Sequence, residues 1–130
     1  MIDGGLRQIF RANLPQFDWT TVEIHLASNG VPDLNGCFTG IEIWLEMKAT
    51  AHWRITVRPA QIGWAERRIA HGGRVFAAVR RAETELWLFS GSDLRRLKTE
   101  RLDSVPRRGR WFGGPAKWAW PEISRILLEK

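Results

Sequence analysis

Asp33, Glu46 and Lys48 are the residues of this sequence whose types and spacing could do chemistry. Thr39-Gly40 is a two-residue turn signal between two runs that alternate apolar and polar residues, which predicts a β-hairpin. With Phe38 paired to Ile41 across that turn, Asp33 falls directly opposite Glu46, and opposed residues project from one face. Lys48 lies two positions beyond Glu46 and points the same way. Two carboxylates and an ammonium therefore gather at the open end of one hairpin. Hard carboxylate oxygens suit Mg2+ or Mn2+ rather than zinc. A protonated lysine is a poor metal ligand, but it can orient or activate a water or stabilise charge on a phosphate. Metal, water and cation together suit phosphodiester hydrolysis. The alternative is that Glu46 and Lys48 are ordinary exposed strand residues and Asp33 a turn residue after Pro32; the convergence of all three in one register favours the chemical reading.

The elements around this hairpin must hold it in place. Its opposite face carries Leu34, Gly36, Phe38, Ile41, Ile43, Leu45 and Met47, a core-facing set. A slip of one residue would bury the charges and expose the apolar stripe, so the pattern specifies its own register. Residues 3–14 predict an amphipathic helix with Leu6, Ile9, Phe10 and Leu14 on one side and Asp3 as its N-cap. Residues 19–26 alternate as a strand, and Ser28-Asn29-Gly30 is a turn signal. Residues 52–58 read either as a loop over the site or as more of the preceding strand. Pro59 opens a helix that buries Ile62, Ala65, Ile69 and Trp64, and Gly72-Gly73 ends it. The apolar run from Val75 to Val79 predicts a buried strand, parallel to the second hairpin strand through a right-handed crossover. A further strand follows from Glu85, then a short helix over residues 93–98 capped by Ser92, and a last helix with Ile123, Ile126 and Leu127 on one side.

The whole chain sets bounds on this reading. At 130 residues it is one domain with room for a real core. A formal net charge of +6 and a pI near 10.7 point to a polyanionic partner, nucleic acid before membrane. Cys37 is the only cysteine, which excludes an internal disulfide and a four-cysteine zinc site and favours a reducing, cytoplasmic setting. No stretch has the length needed to span a bilayer. Eight tryptophans and no tyrosine is unusual usage.

Pro32-Asp33 and then Glu46-Met47-Lys48 resemble the PD-(D/E)xK nuclease signature. The stretches Gly30 to Leu34, Glu46 to Thr50, Arg58 to Trp64 and Gly72 to Phe76 extend the likeness to small phage-encoded nucleases close to VRR-NUC domains and to Holliday-junction resolvases. The resemblance spans roughly Trp19 to Phe89. It implies a restriction-endonuclease-like α/β core, a mixed central sheet in α-β-β-β-α-β order flanked by helices, over residues 1–103. It implies a Mg2+-dependent endodeoxyribonuclease, with Mn2+ able to substitute, located in the host-cell cytoplasm if phage-encoded. Asp33 and Glu46 match the metal-binding acids, and the backbone carbonyl of Met47 would complete the metal shell. Lys48 matches the lysine that positions the attacking water, and Gln61 a helix glutamine that holds the site together. Glu23, upstream of Asp33, is a further candidate metal ligand; the alternative is a solvated strand residue. The resemblance implies DNA as partner and, for enzymes that cut two opposed strands, a homodimer.

Residues 104–130 lie outside the resemblance and form a basic, tryptophan-rich extension. Arg107, Arg108, Arg110 and Lys117, interleaved with Trp111, Phe112, Trp118 and Trp120, read as a loosely ordered nucleic-acid-contacting arm, or as a tail that folds back to cap the core or form a dimer contact. Arg67, Arg68 and Arg74 are further candidates for phosphate contact, or are simply solvated. The first reading is thus a structure-selective or nicking DNA endonuclease. The second is a non-catalytic nucleic-acid-binding module of the same fold in a phage repair or packaging assembly, and the third an oligomeric interaction protein.

Overall fold

The Thr39-Gly40 turn, with φ of 49° and 83°, has the left-handed pair of residues that matches the twist of a two-residue hairpin. In the computed structural model, which describes residues 3–22 and 29–129, this hairpin seeds a six-stranded sheet. The elements are α1 (Leu6–Asn13), β1 (Asp18–Thr21), β2 (Leu34–Phe38), β3 (Ile41–Thr50), α2 (Pro59–Ala70), β4 (Val75–Arg81), β5 (Glu85–Ser90), α3 (Leu94–Leu97), β6 (Gly109–Trp111) and α4 (Trp120–Leu128). The strands lie in sequence order. β2 and β3 pair from Phe38 with Ile41 to Leu34 with Leu45, the expected register. β3 and β4 are parallel, and α2 supplies the crossover between them; the other neighbours are antiparallel.

Both faces of the sheet are covered. One packs Leu34, Ile43, Leu45 and Met47 against Leu6 and Phe10 of α1 and Ile123 and Leu127 of α4. The other packs Ala77, Val79, Trp87 and Phe89 against Ile62 and Ala65 of α2 and Leu94 and Leu97 of α3. That double burial is why Val75 to Val79 reads as one apolar run. After Thr50 the chain leaves the sheet as a loop, and Ile55 and Val57 join the second core.

Four local expectations differ from what forms. α1 begins at Leu6, with Gly5 (φ 81°) at its N-cap. Asp3 instead accepts from the Gly5 N–H at 2.9 Å and from Arg7 Nε at 2.9 Å, because the glycine turn sets it back from the helix start. Ser90, not Ser92, caps the turn leading into α3: its hydroxyl accepts from the Ser92 N–H. The expected strand over residues 19–26 forms as Asp18–Thr21 and ends before Val22; residues 23–26, with Glu23, lie outside the described residues. The segment around Arg107 to Pro115 is ordered, since Gly109–Trp111 pairs with Leu86 to Leu88 of β5. Three residues are too few for alternation to show, and the order comes from buried indoles. Trp111 donates to Glu122, Trp118 to the Thr84 carbonyl and Trp120 to the Pro115 carbonyl. These three indoles, in the first core, are three of the eight tryptophans.

Gly30 ties the hairpin's open end to α2. Its φ is +76°, and a β-carbon there would lie 2.0 Å from the Ala60 carbonyl oxygen. Gly30→Ala is therefore expected to lose about 2–4 kcal/mol, from left-handed strain plus a backbone clash. Urea unfolding of the purified variant reads this directly, and an unchanged midpoint would refute the contact.

Candidate active site

Asp33 stands one residue before β2, at the hairpin's open end. Its carbonyl accepts from the Val22 N–H at 2.9 Å, and its Oδ2 accepts from the Met47 N–H at 3.0 Å. The carboxylate is thus turned onto the backbone of β3. Its Oδ1 makes no hydrogen bond among the described residues.

Glu46 and Lys48 project from the β3 face opposite the Leu45 and Met47 side chains, as strand alternation requires. That face is not open. The first turn of α2 lies over it, so Glu46 is only 3% exposed. Gln61 makes the junction. Its Nε2 donates to Glu46 Oε1 in a short hydrogen bond, and its Oε1 accepts from Lys48 Nζ at 3.0 Å and from the Arg58 N–H at 3.0 Å. The last of these is half of a helix capping box, with Pro59 at the first helical position. One amide therefore caps α2 and orients both catalytic candidates of β3. Lys48 Nζ also lies 3.5 Å from Glu46 Oε1.

The electrostatics follow from this burial. The Glu46 carboxyl is pushed up to about 7, first by desolvation and then by the Asp33 charge, with Lys48 opposing. Asp33 is also raised, again by burial first, while the Met47 N–H and Lys48 pull it down. Glu46 Oε2 is buried without a hydrogen-bond partner. Two crowded carboxylates with an unpartnered buried oxygen form a donor set that a hard cation would satisfy, so the residues fit a divalent metal. Among the described residues no cluster of three or more His, Cys, Asp or Glu side chains forms that could hold one. The side-chain donors that the described residues bring here are Asp33 and Glu46.

Asp3 and Arg7 enter the site's surroundings without a sequence motif to announce them. Their charges act on Asp33, Asp3 from the turn before α1 and Arg7 from its first turn, and they line a depression of about 560 Å3 with Arg11 and Thr21. The local signal is the helix that Asp3 precedes and whose first turn holds Arg7; their approach to Asp33 depends on how α1 packs.

The other candidates are dispersed. Arg67 and Arg68 are exposed on α2, nearly two turns beyond Gln61, with Arg68 4.6 Å from the Trp64 ring centroid. Arg74 donates to the Leu127 carbonyl, Arg108 pairs with Glu129 at 3.6 Å and Arg110 with Glu85 at 3.0 Å. Arg107 lies over Trp87, and Lys117 is exposed.

The fold is the restriction-endonuclease-like α/β fold, in which a mixed sheet carries the acidic hairpin and a crossover helix closes over it. A solved structure shares it: the Holliday junction resolvase Hjc of Archaeoglobus fulgidus, an archaeal hyperthermophile. The match has a TM-score of 0.51 and 10% sequence identity, covering 66% of this chain and 74% of that chain. At this identity the likeness is one of fold. No protein-family model matches the sequence, and no curated protein matches it significantly. No helix among the described residues is long and apolar enough to cross a membrane.

Proposed function

We propose that the protein is a divalent-metal-dependent DNA endonuclease that hydrolyses phosphodiester bonds, acts on branched DNA, and is kin to small phage nucleases of the VRR-NUC type. The observation that carries this reading is the contact set of Asp33, Glu46, Lys48 and Gln61 around an unpartnered buried carboxylate oxygen, on a resolvase-like fold.

Asp33, Glu46 and the Met47 carbonyl would hold Mg2+, or Mn2+ in its place; when bound, the ion supplies Lewis-acid polarisation of the phosphate and a more acidic water. The chain's own residues do the rest. Lys48, held by Gln61 and Glu46, keeps its ammonium beside the carboxylates, where it offsets charge that builds on a non-bridging phosphate oxygen and orients the attacking water. The Met47 N–H holds Asp33 in one rotamer. Gln61 fixes the spacing of Glu46 and Lys48 against α2, so little reorganisation remains when substrate arrives. A basic chain draws the polyanion in. Cutting both opposed strands of a junction would take two copies.

The test is cleavage of supercoiled, linear, flapped and four-way DNA by the purified protein, with Mg2+ or with EDTA. Cutting that requires the metal and favours branched substrates is the expected result. Tight, salt-dependent binding with no cutting of any substrate would replace this reading with that of a non-catalytic DNA-binding module.

A further inference from the structure

The carboxyl ends of β3 and β4 mark the end of the sheet towards which Lys48 lies. From there, cross-strand partners run in a row: Lys48 opposes Val79, Val79 opposes Trp87, and Trp87 opposes Arg110. Opposed residues share a face, so Arg110 projects on the side of the sheet that carries the site. Three strand spacings place β6 about 14 Å from β3. Phe112 follows on the same side, because the Arg110 guanidinium lies 4.1 Å from the Trp87 ring centroid and 4.4 Å from that of Phe112.

Phe112 is 56% exposed, the large hydrophobic side chain that the described residues leave in solvent. It is held rather than loose. Arg110 covers one face of its ring and is itself fixed to Glu85 at 3.0 Å. The chain beyond turns at Gly113 and Gly114, with φ of 88° and 90°. The Gly114 N–H and the Trp118 indole both donate to the Thr84 carbonyl at 2.9 Å. One ring face is therefore free and preorganised. Two exposed cations lie in its neighbourhood: Arg107 sits over the same Trp87 ring as Arg110, and the Lys117 side chain packs beside Gly113, the residue after Phe112; neither enters an ion pair among the described residues.

We propose that Phe112 is a stacking platform for an unpaired nucleobase, with Arg107 and Lys117 taking the neighbouring phosphates. A free aromatic face near uncompensated cations matches the two chemistries that alternate along a single strand. Duplex rises roughly 3.4 Å per nucleotide and an unstacked strand more, so the 14 Å span corresponds to about two to four unpaired nucleotides from the cut. This platform would let the sheet's far edge select DNA with an unpaired stretch at that distance. The inference rests on the nuclease reading, which supplies the DNA and the cut.

The experiment uses flapped DNA with 2-aminopurine at unpaired positions about two to five nucleotides from the cut, matched duplex, and EDTA to hold the substrate intact. Wild-type protein and Phe112→Trp are expected to quench the 2-aminopurine, and Phe112→Ala is not. Phe112→Ala should weaken binding of the flapped DNA about tenfold, the scale of losing one stacked base, and change duplex binding less than twofold. Equal losses on both DNAs, or unchanged quenching and affinity, would overturn the platform while leaving the nuclease reading intact. So would a Phe112→Ala variant whose sole defect is conversion of a dimer to a monomer. Wild-type protein that neither binds nor cuts any DNA would overturn both.

Discussion

Asp33→Asn and Lys48→Ala are each expected to lower single-turnover DNA cleavage by about 1,000-fold, the scale of removing one preorganised electrostatic group, with DNA affinity within about twofold of wild type. The asparagine is chosen for its geometry. Asp33 Oδ2 accepts from the Met47 N–H, and an amide oxygen can do the same. The hairpin's open end therefore stays closed, and what is lost is the negative charge a cation needs. Lys48→Ala removes the ammonium that touches both Gln61 Oε1 and Glu46 Oε1. Gln61 keeps its bond to the Arg58 N–H, so the cap of α2 survives. Affinity should hold because most of the positive charge lies elsewhere in the chain. Cleavage in Mg2+ and fluorescence anisotropy in EDTA separate the two effects. Full activity in a folded variant would remove that residue from the site.

Glu46→Gln is expected to destroy cleavage yet stabilise the metal-free protein by about 2–3 kcal/mol at pH 8, less than the full linkage of its shift because contacts with Lys48 weaken. The sign follows from the direction of that shift. The carboxyl's ordinary value is 4.5, and burial with the Asp33 charge raises it to about 7 in the folded chain. Below pH 4.5 the group is protonated in both states and contributes nothing to the pH dependence. As pH climbs from 4.5 to 7 the unfolded chain gives up its proton first, so folding becomes progressively less favourable. Above 7 the penalty is complete. Asp33, raised in the same direction, adds a penalty of the same sign that both proteins share. Urea unfolding in EDTA should give two stability curves that meet near pH 4.5 and diverge towards pH 8, with the variant above. Mg2+ should restore stability to the wild type and not to the variant. Curves that stay parallel across this range would show that Glu46 carries no such strain. On the metal-dependent reading proposed above, this destabilised carboxylate is what a bound cation would relieve.

The hairpin was legible in the sequence because its determinants are local. The Thr39-Gly40 turn and the period-two alternation on either side admit one register, and β2 and β3 adopt it. The start of α2 at Pro59 and the buried parallel strand from Val75 are likewise written in neighbouring residues. The Asp33–Glu46–Lys48 grouping followed from that register alone, and Gln61 entered through resemblance to a known motif.

Other features depended on elements far apart in the chain. Strand alternation marks Glu46 and Lys48 as polar, and polar reads as solvent-facing; the packing of α2 onto β4 and β5 puts Glu46 under a helix instead. That burial, and with it the raised carboxyl and the unpartnered Oε2, follows from where α2 comes to rest. No local pattern announces that Asp3 and Arg7 approach Asp33, or that Trp111, Trp118 and Trp120 close the first core while Phe112 stays out. By itself, then, the sequence determined which side chains share a strand face, because backbone alternation and turn stereochemistry act over a few residues. The tertiary structure alone decided which of those faces is covered, because that depends on two hydrophobic surfaces meeting across the sheet.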